Sequence, residues 1–144
     1  MAHDSSEPGS PFRPGSPGHG FKREAAPSAG ERVIGRSADS AFVGTALEEA
    51  LDALGATTLV VCGARTNNCV ETTVRHGGAL GYRIFVVADA CWTVDKRDRA
   101  GRLWPAEDVH ALSLANMQGD YAEVVDGATA LRAAAMANVR RRRR

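Results

Sequence analysis

The chain has 144 residues, of which 44% are hydrophobic, and its 18 Lys and Arg nearly balance its 17 Asp and Glu. This length fits a single domain with its own core and leaves little room for two. A net charge of +1 creates no field that would attract nucleic acid or a membrane surface. The apolar runs are only as long as strands, which excludes a membrane-spanning helix. No signal peptide opens the sequence, so we expect a cytoplasmic protein.

The first 30 residues differ from the rest in composition. They carry five of the six prolines and five of the 15 glycines, with no periodic apolar pattern, and such a segment cannot offset its ordering entropy by burial. We expect residues 1–14 to be disordered and residues 15–30 to lie extended over the domain, which is predicted over residues 31–139. The five arginines at 140–144 repel one another, which predicts a solvated tail.

From residue 31 onward, strand patterns alternate with helix patterns. Runs of β-branched and apolar residues predict strands at 32–34, 57–62, 83–88 and 121–125. Apolar residues at helical spacing predict helices at 45–54, 69–80, 106–117 and 127–139. The second and third strands are apolar throughout, which is typical of strands buried on both faces. The predicted fold class is therefore α/β, a three-layer parallel sheet with helices on both faces.

Cys69 lies where a predicted strand gives way to a predicted helix. A thiol in the first turn of a helix is beside unsatisfied N–H groups, which stabilise the thiolate and lower the pKa. The same groups would bind the oxyanion that forms when a carbonyl carbon is attacked. A nucleophilic Cys69 competes with a structural one, because most free cysteines are small buried hydrophobic residues. Cys62 and Cys91, in and after apolar strands, are predicted to pack inertly, and the three cysteines predict no disulfide framework.

Several short sequence motifs occur in an order that is typical of one protein family. They are SAFVGT at 40–45, VVCGARTNNCVETT at 60–73, GYRIFVVADA at 81–90, VHALS at 109–113 and AEVV at 122–125. Together they resemble the isochorismatase-like cysteine hydrolases, which include nicotinamidases, N-carbamoylsarcosine amidases and ureidoacrylate or biuret hydrolases. The resemblance covers residues 15–130 and implies a Rossmann-like, isochorismatase-like fold. It also implies hydrolysis of a small amide or ureido C–N bond through a covalent thioester.

The resemblance implies roles for residues around the turn. Cys69 would be the nucleophile, and the main-chain N–H groups of Arg65 and Cys69 would form the oxyanion hole. A cis peptide bond between Ala64 and Arg65 would aim these groups. The residues implied at the substrate are Phe42, Thr66 and Asn67. From the residue types alone, the last two are common turn residues, and Phe42 would be ordinary core.

Two of the family's three catalytic residues, Asp, Lys and Cys, are altered here. The Lys position is occupied by Arg36, which keeps the positive charge but does not readily release a proton. The family's Asp ends a central first strand, and no such strand precedes residue 15. Asp4, Asp39 and Asp89 occupy other positions, and none receives the role. We therefore expect an N-terminally truncated fold. Its neighbouring strands would expose unpaired backbone groups, so either the remaining strands close up or another chain supplies the missing strand.

The resemblance also bears on ligands and partners. Nicotinamidases hold a metal ion with one Asp and two His, but the four histidines of this chain are scattered, so we expect no metal and no cofactor. Relatives usually assemble, which implies a homo-oligomer. The expected partner is a small amide or ureido substrate, with no nucleic acid or membrane.

Other functions stay open beside the hydrolase. The main alternative is a non-catalytic relative that acts as a binding or assembly module, because relaxed selection erases a catalytic triad faster than a packing pattern. A flavodoxin-like or nucleotide-binding domain is disfavoured, since residues 63–66 match neither GxGxxG nor GxxxxGK[ST].

Overall fold

The structure, a computed structural model, describes residues 1–141. Its strands are β1 (Ala2–His3), β2 (Gly35–Arg36), β3 (Thr58–Ala64), β4 (Arg83–Trp92), β5 (Lys96–Arg97), β6 (Leu103–Trp104) and β7 (Glu123–Val125). Its helices are α1 (Leu47–Ala53), α2 (Glu71–Ala79), α3 (Ala106–Met117) and α4 (Gly127–Arg141), with a 3₁₀ turn at Arg23–Ala25 and a π-helical turn at Thr66–Val70. No helix among these is long and apolar enough to cross a membrane.

A parallel three-stranded sheet in the order β3-β4-β7 forms the centre of the fold. Parallel neighbours need a crossover connection, and α2 and α3 supply the two crossovers. The predicted α/β class, a parallel sheet combined with helices, is confirmed. The core lies between β4 and these two helices, and its buried members are Val70, Val74, Ile84, Val86, Cys91 and Met117.

Strand β3 is less buried than its sequence predicts. It pairs with β4 along one edge, and in the described part of the chain nothing pairs with the other edge. Its side chains therefore alternate between exposed and half-buried, and Val60 is 60% exposed. The expectation that this strand is buried on both faces is wrong, while the expected unpaired strand edge is present.

The N-terminal residues have a partner that composition does not reveal. Strand β1 pairs in parallel with β2, and the backbone N–H groups of Ala2 and Asp4 donate to the carbonyls of Ile34 and Arg36. The predicted strand at 32–34 is wrong, because this pairing places the ladder at Gly35–Arg36. The start of the chain is likewise placed in a strand, where we expected disorder. The domain boundaries at residues 30 and 139 stay predictions.

The remaining boundaries shift by a few residues. Helix α2 begins at Glu71 rather than at 69, β4 continues to Trp92, and α3 matches its predicted bounds. Helix α4 runs to Arg141, into the expected arginine tail, and residues 142–144 lie outside the described residues.

Met117 provides a test of the core, because it is fully buried whereas Met136 is 64% exposed. We expect Met117→Ala to lower the free energy of unfolding by about 2–5 kcal/mol, since it removes buried contacts and leaves a cavity. The same substitution at Met136 should change it by less than about 0.5 kcal/mol. Urea unfolding monitored by circular dichroism measures both. Equal effects at the two positions would contradict this description of the core.

Candidate active site

The centre of the candidate site is the turn that joins β3 to α2. The Ala64–Arg65 peptide bond at the end of β3 is cis, as the family resemblance predicts. The π-helical turn Thr66–Val70 follows, and it is closed by the N–H groups of Asn68 and Val70, which donate to the carbonyl of Arg65 at 3.1 and 3.3 Å. Cys69 lies within this turn, just before α2 begins. The thiol is thus beside the N-terminal end of α2, although not in its first turn as predicted.

Cys69 has a carboxylate as its hydrogen-bond partner. Its side chain is half-buried, and its Sγ donates to Oδ1 of Asp39 over 3.2 Å. Asp39 is exposed and comes from the loop after β2, 30 residues earlier in the chain. Only the folded chain brings these two groups together.

The loop that carries Asp39 is fastened to α2. The hydroxyl of Thr73 donates to the carbonyl of Asp39 over 3.5 Å and accepts from the N–H of Ala41 at 3.0 Å. The next residue, Ser40, is buried, and its Oγ lies 2.8 Å from Nδ1 of His76 on α2. Because α2 also follows Cys69 directly, one helix positions both the carboxylate and the thiol.

A cavity of about 500 Å³ lies beside Cys69. Much of its wall is β3, and Arg36 and Phe42 also line it. The structure therefore brings three of the predicted site residues, Arg36, Phe42 and Cys69, to one cavity. Its lining is mainly apolar, and exposed residues of β3 such as Val60 leave part of it open to solvent.

Arg36 is held beside this cavity by two acceptors. Its Nη1 donates to Nδ1 of His3 at 2.9 Å and to the carbonyl of Ala38. Burial of His3, and then the positive charge of Arg36, lower the pKa of this histidine. A neutral imidazole can accept a hydrogen bond from Arg36. This bond fixes the direction of the guanidinium at the edge of the site.

The other predicted substrate residues differ in their surroundings. Phe42 is buried, and its ring stacks on Tyr82 with centroids 5.7 Å apart, so it serves both the core and the cavity wall. Thr66 is fully buried, with its hydroxyl 2.9 Å from Nδ1 of His110. Asn67 accepts a hydrogen bond from the hydroxyl of Thr93 at 2.5 Å. The side chains of Thr66 and Asn67 thus hold the turn in place, and neither is among the described residues that line the cavity.

The two remaining cysteines differ from each other. Cys91 is buried in the core, as expected, and burial raises its pKa. Cys62 is exposed on β3 and lines the same cavity as Cys69. The prediction that Cys62 packs inertly inside its strand is wrong, because none of the residues that the structure describes covers it.

Asp39 is the residue at this site to which the sequence analysis gave no role. It directly precedes the SAFVGT block, which was itself recognised, but it does not occupy the family's Asp position. Its place in the sequence offers a signal, because Asp39 lies between Arg36 and Phe42, which are six positions apart. A segment that supplies two candidate site residues brings its other polar side chains close to the site.

Comparison with known proteins gives consistent results. The family described as "Isochorismatase domain" matches residues 2–129. The uncharacterized isochorismatase family protein YrdC of Bacillus subtilis is 34% identical over 125 residues, which are 87% of this chain and 67% of that protein. The ureidoacrylate amidohydrolase RutB of Methylobacterium radiotolerans is 38% identical over 69% of this chain and 35% of its own length.

Solved structures agree with this result. An isochorismatase-family protein from Chromobacterium violaceum superposes with a TM-score of 0.88 and 50% identity, over 92% of this chain and 68% of that one. An isochorismatase from Pseudomonas putida gives 0.84 and 35%, over 89% and 65%. The chain thus spans about two thirds of the length of YrdC and of the two solved structures, and about one third of RutB.

Thr66 allows a test of how the turn is held. Thr66→Val removes the hydroxyl that meets His110 and leaves a polar atom unpaired, so we expect a loss of about 1–3 kcal/mol in the free energy of unfolding. The matched control is Thr72→Val, an exposed position on α2, which should cost little. Urea unfolding measures both variants. A stable Thr66→Val protein would show that this hydrogen bond does not hold the turn.

Alkylation by iodoacetamide tests the surroundings of the three thiols. The thiolate is the reactive form, and a raised pKa moves its formation to higher pH. We expect Cys91 to be labelled last and to need the highest pH, because it is buried and its pKa is raised. Peptide mass spectrometry across a pH series measures each cysteine separately. Labelling of Cys91 at the rate of Cys69 would contradict the structure.

Proposed function

Because this chain belongs to the isochorismatase family, whose domain matches residues 2–129, we propose that it is a cysteine hydrolase with Cys69 as the nucleophile. The reaction would be cleavage of a small amide or ureido C–N bond through a covalent thioester. The observation that carries this proposal is the position of Cys69. Its half-buried thiol borders the cavity and hydrogen-bonds a carboxylate at 3.2 Å, and a nucleophile paired with a base is the usual arrangement in covalent catalysis.

The reaction divides into acylation and deacylation. Sγ of Cys69 attacks the carbonyl carbon of the substrate, and the oxygen becomes negatively charged. Main-chain N–H groups of Arg65 and Cys69, in the turn beside the N-terminal end of α2, would stabilise that charge. The amine leaves as the carbonyl re-forms, and water then hydrolyses the thioester. Arg36 contributes a fixed positive charge at the cavity, since a guanidinium does not give up its proton at neutral pH.

The cavity supports a small substrate. A volume of about 500 Å³ lies within the range of small-molecule sites. Its apolar wall, with Phe42 on one side, would contact the apolar part of a substrate, and Arg36 would favour substrates with a negative charge. The relative RutB is named for one such compound, ureidoacrylate.

The remaining expectations belong to the same proposal. The protein would act in the cytoplasm as a homo-oligomer, with no metal and no cofactor.

A non-catalytic relative is the second candidate, and one observation favours it. The guanidinium of Arg36 is engaged by His3 and by the carbonyl of Ala38, whereas the family has a lysine at this position. A protein that had lost turnover would keep the fold and the cavity and would bind small amides without hydrolysing them.

Ammonia release separates the two candidates. The purified protein is incubated with nicotinamide, N-carbamoyl amino acids and ureidoacrylate, and we expect release from at least one of them. Cys69→Ala should reduce it to background because the attacking atom is gone. Cys62→Ala is the matched control, since this cysteine lines the same cavity, and it should retain most of the activity. Release that survives Cys69→Ala would remove the proposed mechanism.

A further inference from the structure

We propose that Asp39 is the general base of this site, the group that takes the proton from the Cys69 thiol. This inference rests on the proposed function and adds a catalytic residue to it. A general base must lie within hydrogen-bond reach of the proton it removes. Oδ1 of Asp39 meets that requirement, because it accepts from Sγ at 3.2 Å.

Asp39 is held in position by its neighbours. Its carbonyl accepts from Thr73, the N–H of Ala41 donates to the same hydroxyl, and the intervening Ser40 is buried against His76. Three consecutive residues are thus fastened to α2. The carboxylate lies at the exposed end of this anchored segment. It contacts Sγ of Cys69 and remains open to water.

Other charged and titratable groups lie near Asp39 and Cys69. Arg36 binds the carbonyl of Ala38, directly before Asp39, and both Asp39 and Arg36 act electrostatically on His3. His76 lies behind Ser40 on α2. Arg36 cannot take a proton, since it is always protonated, and His3 shares its Nδ1 with Arg36. Of these groups, Asp39 is the one whose acceptor atom contacts the sulfur.

With Asp39 as the base, every proton transfer in the reaction has a donor and an acceptor. As the Sγ–C bond forms, the thiol proton moves to Oδ1 and the carbonyl electron pair moves to oxygen. Protonated Asp39 gives this proton to the nitrogen as the C–N bond breaks. In the second half, Asp39 takes a proton from the attacking water and returns it to Sγ as the C–S bond breaks. One water is consumed, an acid and an amine or ammonia are formed, and both side chains return to their starting states.

The transfer must be coupled to bond formation. A thiol is ordinarily a much weaker acid than a carboxylic acid, so the proton moves to the carboxylate only as the sulfur bonds to the carbonyl carbon. As sulfur forms its bond to carbon, the thiol proton becomes far more acidic and the transfer becomes favourable. The Asp39 carboxylate can therefore act as the base during attack.

Asp39→Asn tests the proposal, because it keeps the shape of the side chain but removes its proton affinity. We expect kcat for the substrate that releases ammonia to fall by about 10²–10⁴-fold, with a much smaller change in KM. Asp39→Glu should restore part of the activity. The control is Asp52→Asn, an exposed carboxylate on α1, and it should leave kcat unchanged.

Alkylation supplies a readout that does not depend on turnover. Removal of a negative neighbour favours the thiolate, so Cys69 should be alkylated faster in Asp39→Asn than in the native protein at the same pH. A variant that labels faster yet turns over more slowly has lost its proton acceptor rather than its fold.

Two results would overturn the role of Asp39. One is an Asp39→Asn enzyme within threefold of native kcat while Cys69→Ala is inactive, which would leave the proposed function standing. The other is an alkylation profile of Cys69 that is identical in native protein and Asp39→Asn, because the carboxylate would then not contact the sulfur. Failure of the proposed function itself is separate, since it appears as release that Cys69→Ala does not change.

Discussion

The attachment of the β3–α2 turn to α3 is the constraint on which the site depends. On one side of Cys69, fully buried Thr66 is fixed by His110 of α3. On the other side, Glu71 accepts from Ser113 of the same helix at 2.6 Å. Cys69 is therefore bracketed by two side chains that one helix holds in place. Loops tolerate change better than packed elements do, but this turn is attached to α3 on both sides of the cysteine.

A second set of bonds places the partner of the thiol. The loop after β2 is short, and it is β1 that sets its starting point by pairing with Gly35–Arg36. Arg36 then fixes the carbonyl of Ala38, and Thr73 fixes the backbone on either side of Ser40. The cation, the carboxylate and the cavity wall thus arise from one segment of a few residues.

Much of this arrangement follows from sequence patterns. The run at 83–88 and the helical spacing at 106–117 are strong local signals, and both elements are present as predicted because they form the core. The motif around Cys69 predicted the turn and its cis bond. The strand at 35–36 could not be predicted, since two residues carry no periodicity and the pairing comes from the distant Ala2–His3. The exposure of Val60 and Cys62 also escaped prediction, because an apolar run does not tell whether a neighbour covers it.

The pair of Arg36 and Asp39 separates two tasks that one lysine can combine. An ammonium group both stabilises negative charge and, when its pKa is lowered, exchanges a proton, whereas a guanidinium can only stabilise charge. Under the proposed function, proton transfer falls to a group other than Arg36, and the Asp39 carboxylate lies 3.2 Å from the sulfur. The guanidinium is turned toward neutral acceptors, His3 and a backbone carbonyl, so it keeps its charge without neutralising that carboxylate. In the proposed reaction, the cation stabilises the negative charge that develops on the substrate, and the Asp39 carboxylate moves the proton.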